Sequence, residues 1–232
     1  MLLNAADKAL WRLALPMIFS NITVPLLGLV DTAVIGHLDS PVYLGGVAVG
    51  ATATSFLFML LLFLRMSTTG LTAQAWGAKD PQRLARALVQ PLALALGAGV
   101  LIILLRLPLI DLALHIVGGS EAVLEQARRF LEIRWLSAPA SLANLVLLGW
   151  LLGVQYARAP VILLVVGNLL NIVLDLWLVM GLRMNVQGAA LATVTAEYAT
   201  LIIGLLMAKR VLTLRDGLIV GERKGTGERA AL

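Results

Sequence analysis

The sequence predicts an all-α integral membrane protein built as a six-transmembrane-helix bundle. Of its 232 residues, 60% are hydrophobic and only 13% are charged. Soluble domains carry about 25% charged residues, so this chain has too few to cover a water-exposed surface. Six apolar stretches are also long enough to cross a membrane, which takes about 20 residues of helix.

The six predicted helices differ in the charges that they contain. The first contains Asp31 and is too long for the apolar part of a signal peptide, so we expect it to stay in the membrane. The apolar windows of the next three contain no charged residue, whereas the fifth contains Asp175 and the sixth Glu197. Approximate bounds are residues 10–36, 41–65, 85–106, 133–156, 159–182 and 186–210, which together make a transmembrane lobe of residues 1–212.

Two segments outside these helices have a different composition. Residues 107–134 mix apolar and charged side chains, which predicts an interfacial connector that becomes an amphipathic run into the fourth helix. Residues 213–232 are polar and basic and contain glycine, which predicts a disordered tail.

The basic residues indicate the orientation of the chain in the lipid bilayer. With the amino terminus inside, 13 Lys and Arg residues fall in cytoplasmic segments and 5 on the other side. Cytoplasmic segments are enriched in Lys and Arg, so both termini are predicted to be cytoplasmic. The net charge of +5 does not indicate nucleic-acid binding, because the basic residues lie at the ends of apolar runs and form no common face.

Three acidic residues, Asp31, Asp175 and Glu197, fall inside the spanning windows, whereas no Lys or Arg does. An ionised carboxylate near the bilayer centre costs about 2.5–3.5 kcal/mol on insertion scales. Protonation, a bound cation, water in a cavity or a cationic partner would offset that cost. Acids in this setting are typical of ion pathways in transporters, so we predict that they respond to protons or cations.

Several polar residues lie at helical spacing from these acids. Asn168 and Asn171 share one face of the fifth helix with Asp175, where their amide oxygens could help to ligate a cation. The alternative is that the asparagines hydrogen-bond neighbouring helices. Thr193 precedes Glu197 by one turn, and a bond from its hydroxyl to the helix backbone is the alternative to a role in the site. Glu197 either faces a cavity or pairs with another residue.

The first helix combines Asp31 with two prolines, Pro16 and Pro25. Proline frees backbone carbonyl groups and bends a helix, so a helix that carries an unpaired acid is a candidate moving part. The alternative is that Asp31 lies at the membrane interface, because Gly36 and His37 follow within two turns.

The remaining composition argues against an enzyme. The chain has no cysteine and two histidines without metal-ligand spacing. It also lacks a phosphate-binding loop and a legible Ser/His/Asp set. We therefore expect neither catalysis nor a cofactor, apart from a coupling ion.

Five stretches together resemble one transporter family and occur in the family's order. They are Leu13–Ile18, Leu29–Gly36, Thr72–Asp80, Gly167–Asp175 and Val186–Thr193. Through them the chain resembles multidrug and toxic compound extrusion (MATE) transporters, specifically the DinF-like branch, over roughly residues 5–212. The resemblance implies secondary active export of organic, often cationic or amphipathic compounds across the bacterial inner membrane, in exchange for H⁺ or Na⁺.

The resemblance also implies roles for particular residues. Asp31 and Asp175 match the acids of an ion-coupling site, and Asn171 and Thr193 match positions that accompany them. A sodium ion would bind among these four residues, although their oxygen atoms suit a proton equally well. Pro16 matches a proline that is tied to bending of the first helix. Glu197 has no matching role in the family, so its candidacy rests on its position alone.

Family members have two six-helix lobes, and this chain resembles only the amino-terminal one. Transport is therefore expected to need a second lobe, from the same or a separate chain. The alternatives are a non-transporting membrane subunit or a truncated inactive product. A lipid-linked sugar flippase of the same architecture is disfavoured, because its cavity would be expected to present intramembrane Arg or Lys.

Overall fold

The computed structural model describes residues 5–229, apart from the side chains of residues 13, 20, 23, 24, 27 and 215–229. The described residues form helices connected by short turns. The α-helices are α1 (Ala5–Gly36), α2 (Pro41–Leu60), α3 (Phe63–Gly77), α4 (Pro81–Leu104), α5 (Arg106–Val117), α6 (Glu121–Arg134), α7 (Ala138–Gly153), α8 (Arg158–Asp175) and α9 (Asn185–Arg229). A 3₁₀ turn, Trp135–Ser137, joins α6 to α7, and a π-helical turn, Leu176–Gly181, follows α8.

Within the described part of the chain, five helical segments are long and apolar enough to cross a membrane. They are Pro41–Gly77, Pro81–Leu104, Glu121–Gly153, Arg158–Gly181 and Asn185–Leu214. The 32-residue helix α1 precedes them. The prediction of an all-α membrane bundle is confirmed, with about six long helical segments.

Side-chain caps and a glycine set the boundaries of several helices. Ser40, Asp80 and Ser120 stand before α2, α4 and α6, and each side chain accepts a hydrogen bond from a backbone N–H of the first helical turn. Such caps satisfy amide groups that have no partner within the helix. Gly118 ends α5 with a φ of 71°, a conformation that glycine adopts without a Cβ clash.

The amphipathic run predicted to lead into the fourth helix is α6, which continues through the 3₁₀ turn into α7. Ala127, Phe130 and Leu131 are buried on one stripe of α6. This stripe packs against small residues of α2, where a Cβ added to Gly46 or Gly50 would lie 2.5 Å from a side-chain atom of α6. Because these positions are glycine, α6 can pack closely against α2, although α6 also carries charged side chains.

Helix α9 continues past residue 212, where the sequence analysis starts the polar tail, and is helical as far as Arg229. Residues 230–232 lie outside the described residues. The division of the chain into a lobe and a tail stays a prediction.

The buried apolar residues form two separate clusters. The α4–α7 core contains residues of α3, α4 and α7 around Leu84, Leu147 and Trp150, all of which are less than 2% exposed. The α2–α6 core contains residues of α1, α2, α5 and α6 around Trp135. Helices α8 and α9, together with the π-helical turn after α8, contribute buried residues to these clusters at different points along their length.

Trp135 anchors the α2–α6 core, and its replacement should destabilise the protein. The side chain is 1% exposed, and its Nε1 donates a hydrogen bond of 3.0 Å to Thr54 Oγ1 of α2. We expect Trp135→Phe to lower the free energy of unfolding by about 1–2 kcal/mol, because it removes this bond and some buried area. Thermal unfolding of the detergent-solubilised protein measures the change. Trp177→Phe is the matched control, since Trp177 is 59% exposed; equal losses in the two variants would contradict the assignment.

Candidate ion-coupling site and cavity

Asp31 and Asp175 lie side by side, where α1 packs along α8. Their carboxyl groups are hydrogen-bonded to each other. A hydrogen bond between two carboxyl groups requires that one of them hold a proton. Asp175 is 2% exposed, and the Oδ1 atom of each aspartate is buried without a hydrogen-bond partner. The pair therefore has free acceptor atoms that a proton or a cation could occupy.

Asn171 adds a third oxygen of this kind. It lies one turn before Asp175 on α8 and is 3% exposed, and its Oδ1 atom is also buried without a partner. Buried polar atoms in proteins are almost always hydrogen-bonded. Carboxylate and amide oxygens are also the ligands that hard cations prefer. Three such oxygens on neighbouring residues thus make a site with suitable chemistry for H⁺ or Na⁺.

No basic side chain offsets the charge of this aspartate pair in the described structure. The ion pairs among the described residues are Arg128–Asp111, Arg129–Glu125 and Arg134–Glu197. The structure thus brings together Asp31, Asp175 and Asn171, as the sequence analysis expected, and none of these ion pairs includes either of the two aspartates.

A cavity of about 280 Å³ opens among α7, α8 and α9, with Phe58 of α2 at its edge. Asn168, Asn171 and Thr193 line it, whereas Asp31 and Asp175 are not among its lining residues. Thr193 donates its hydroxyl to Ala189 O at 3.1 Å, the backbone bond given as the alternative, and its oxygen keeps an acceptor lone pair. Asn171 is thus the residue that adjoins both the aspartate pair and the cavity.

Glu197 has a basic partner, Arg134, although no Lys or Arg falls inside the spanning windows of the sequence. Arg134 Nη2 and Nη1 donate to the two carboxylate oxygens of Glu197 at 3.1 and 3.3 Å. Ser141 Oγ also donates to this carboxylate. The guanidinium group contacts Ser137 Oγ as well and lies 5.7 Å from the centroid of the Phe58 ring. Of the two alternatives for Glu197, both hold: it faces the cavity and is paired.

Sequence reasoning missed Arg134 because it assigned residues 107–134 to the membrane interface. One signal was available, since Arg134 follows Leu131 and Phe130 by three and four residues and continues the buried stripe of α6. Its partner is 63 residues away, so the pairing itself could not be read from local spacing.

Helix α1 continues through Pro16, the residue at which bending is predicted. Pro16 and Pro25 both lie inside α1. Each lacks an N–H group, so the carbonyl groups of Arg12 and Asn21 have no partner four residues ahead. Bending at Pro16 stays a prediction.

Backbone geometry changes directly after Asp175. The segment Leu176–Gly181 is π-helical, and Leu182 N donates to Trp177 O at 2.9 Å, five residues back. Single π-helical turns occur frequently at functional sites. This position supports the choice of Asp175 as a site residue.

Known proteins resemble the chain in sequence and in structure. The MatE family model matches residues 16–177. "DNA damage-inducible protein F" of Escherichia coli (strain K12) is 86% identical over 227 residues, which are 98% of this chain and 49% of that protein. "Probable multidrug resistance protein NorM" of Thermotoga maritima is 28% identical over 91% of this chain and 47% of that protein.

A solved MOP-superfamily transporter from Pyrococcus furiosus superposes with a TM-score of 0.78 and 29% identity, covering 85% of this chain and 43% of that one. The chain spans about half the length of the curated relatives that it matches. The predicted resemblance is confirmed. The chain belongs to the MatE family, and its spanning helices make it a multi-pass membrane protein.

Proposed function

We propose that the chain is the amino-terminal lobe of a secondary active exporter that exchanges organic compounds for H⁺ or Na⁺. The observation that carries the proposal is the Asp31–Asp175 pair with Asn171, whose buried oxygens lack partners. A relative named as a multidrug resistance protein supports the substrate class. The positive-inside bias supports a cytoplasmic location for the loops that are rich in Lys and Arg.

Coupling would follow from the charge that the aspartate pair carries. Two unit charges about 4 Å apart repel by roughly 4 kcal/mol at an effective dielectric constant of about 20. That energy is enough to shift a two-state equilibrium by about 10³. Binding of a proton or Na⁺ removes the repulsion and favours the state in which α1 packs against α8. Loss of the ion favours a state in which α1 has moved, so ion binding and helix position are linked.

The cavity would hold part of the substrate, because Asn171 belongs to both the cavity and the ion site. Half of its lining residues are apolar, four of them leucine, and the other half carry amides, hydroxyls or the Glu197 carboxylate, a composition that suits amphipathic organic molecules. Since the chain spans about half of its relatives' length, we expect a second six-helix lobe to complete the substrate path.

Reconstituted transport tests this proposal. The chain is placed in proteoliposomes with or without the half of the E. coli relative that it does not cover. Efflux of ethidium is then followed under an imposed H⁺ or Na⁺ gradient. We expect gradient-driven efflux only when both halves are present, with one of the two ions supporting it. Vesicles that contain the second half alone are the control. An ethidium efflux rate that is the same with and without the H⁺ or Na⁺ gradient would contradict the proposal.

A further inference from the structure

Glu197 lies on the wall of the cavity, one turn of helix after Thr193, and forms an ion pair with Arg134. Glu197 lines the cavity next to Ser141 and Asn144. Arg134 is not among the lining residues and reaches the carboxylate from the end of α6. Their side chains are 13% and 25% exposed, for Arg134 and Glu197 respectively. Glu197 therefore faces the cavity, and Arg134 contacts its carboxylate without lining the cavity.

Glu197 is the single ionisable residue among the described residues that line this cavity. The polar part of the wall is otherwise made of amides and hydroxyls. It comprises Ser141, Asn144, Asn168, Asn171, Thr193 and Thr200. The charge that a ligand meets at this end of the cavity consequently depends on whether Glu197 is neutralised.

Arg134 is held in a geometry that neutralises Glu197 directly. Its two terminal nitrogens contact the two carboxylate oxygens, which is the bidentate arrangement that gives arginine–carboxylate pairs their strength and orientation. The guanidinium also contacts Ser137 and lies over the ring of Phe58. Because these contacts come from α2, the 3₁₀ turn and α9, the guanidinium has little freedom to leave the carboxylate.

We propose that Arg134 determines the charge preference of the cavity by cancelling the charge of Glu197. The inference rests on the proposed function, in which the cavity holds part of an organic substrate. With Arg134 in place, Glu197 adds no net charge to the wall, so the cavity gives organic cations no advantage over neutral aromatic or amphipathic ligands. Without the guanidinium, the free carboxylate and the uncovered Phe58 face together suit an ammonium group. Arg134 is a positioning residue in this account, since it acts on the ligand through Glu197.

Three naphthalene compounds that differ in charge test the inference. They are 1-naphthylmethylammonium, 1-naphthylmethanol and 1-naphthylacetate, and their binding to the purified, detergent-solubilised chain is measured by calorimetry against protein-free micelles. We expect Arg134→Met to tighten binding of the ammonium probe by about tenfold relative to the alcohol, the scale of one hydrogen bond to a charged group. Arg134→Lys should keep the wild-type preference, because it keeps the positive charge.

Glu197 supplies the reciprocal test. Glu197→Gln removes the negative charge while Arg134 keeps its contacts with Ser137 and Phe58, so the preference should shift toward the acetate probe. The double variant Arg134→Met/Glu197→Gln should lose the gain in ammonium binding. Should Arg134→Met fail to fold, as judged by gel filtration and helix content, Glu197→Gln decides the question alone.

Each outcome has a defined meaning. Intact probe binding with an unchanged charge preference in both single variants would overturn the role of Arg134 and leave the proposed transport function standing. Ammonium binding that stays tight in the double variant would also overturn it. If none of the three probes bound to wild type or variants, the cavity would not be a ligand site, and both this inference and the cavity's share in the proposed function would fail.

Discussion

Replacement of Asp31 or Asp175 with Asn should reduce ion-driven efflux to the level seen without an ion gradient. Asparagine has nearly the shape of aspartate and can donate a hydrogen bond to the remaining carboxyl group. The pair would therefore keep its contact but lose one of its two ionisable groups. Because the proposed coupling depends on a change of charge at this position, a neutral amide should uncouple transport without unfolding the lobe.

The measurement uses a chimera in which this chain is joined to the half of the E. coli relative that it does not cover. Ethidium efflux from vesicles is recorded under H⁺ and Na⁺ gradients for each variant. Asp39→Asn is the matched control, since Asp39 is exposed in the turn after α1 and should be silent. Undiminished gradient-driven efflux in both site variants would remove the aspartate pair from the mechanism.

A second large effect is expected at Gly99, where α4 crosses α7. A Cβ added there would lie 2.3 Å from Pro139 Cα and 2.4 Å from Pro139 N. Both atoms belong to the backbone, so no side chain can rotate away and the helices themselves must separate. We expect Gly99→Ala to lower the free energy of unfolding by about 3 kcal/mol or more, at the upper end of overpacking effects.

Gly97 provides the control within the same helix. A Cβ added at Gly97 meets no atom within 4 Å, so Gly97→Ala should raise stability by up to about 1 kcal/mol through helix propensity. Unfolding of both variants in detergent with increasing SDS or temperature measures the difference. Similar stabilities for the two variants would show that α4 and α7 can separate freely at this crossing.

Hydropathy predicted the spanning helices well, because a membrane helix is defined by its own apolar length and needs no knowledge of its neighbours. It says less about α6, an amphipathic helix in which three buried residues lie on one stripe among charged side chains. Averaged composition hides such a stripe. Nothing in the sequence of α2 shows that its glycines pack against α6.

The candidate site divides in the same way. Asn171 and Asp175 could be placed together from spacing alone, since both lie on one face of α8. That Asp31 joins them was an expectation from family resemblance, because residues on separate helices have no local relationship. The pairing of Arg134 with Glu197 had no such guide and needed coordinates. Spacing within a helix is therefore readable from sequence, whereas contacts between helices depend on how the helices pack.

The separation of the apolar interior into two clusters has a mechanical consequence. Protein interiors are closely packed and resist gradual deformation, so we expect each cluster to move as a block. Helix α9 contributes buried residues to both clusters, whereas α8 contributes to the α4–α7 core and the π-helical turn after it to the α2–α6 core. Helices α8 and α9 carry Asp175, Thr193 and Glu197. Any displacement of one cluster against the other must be absorbed along these helices. In α9, amide hydrogen exchange should therefore be faster between Ala190 and Leu201 than at the residues that belong to or pack against either cluster.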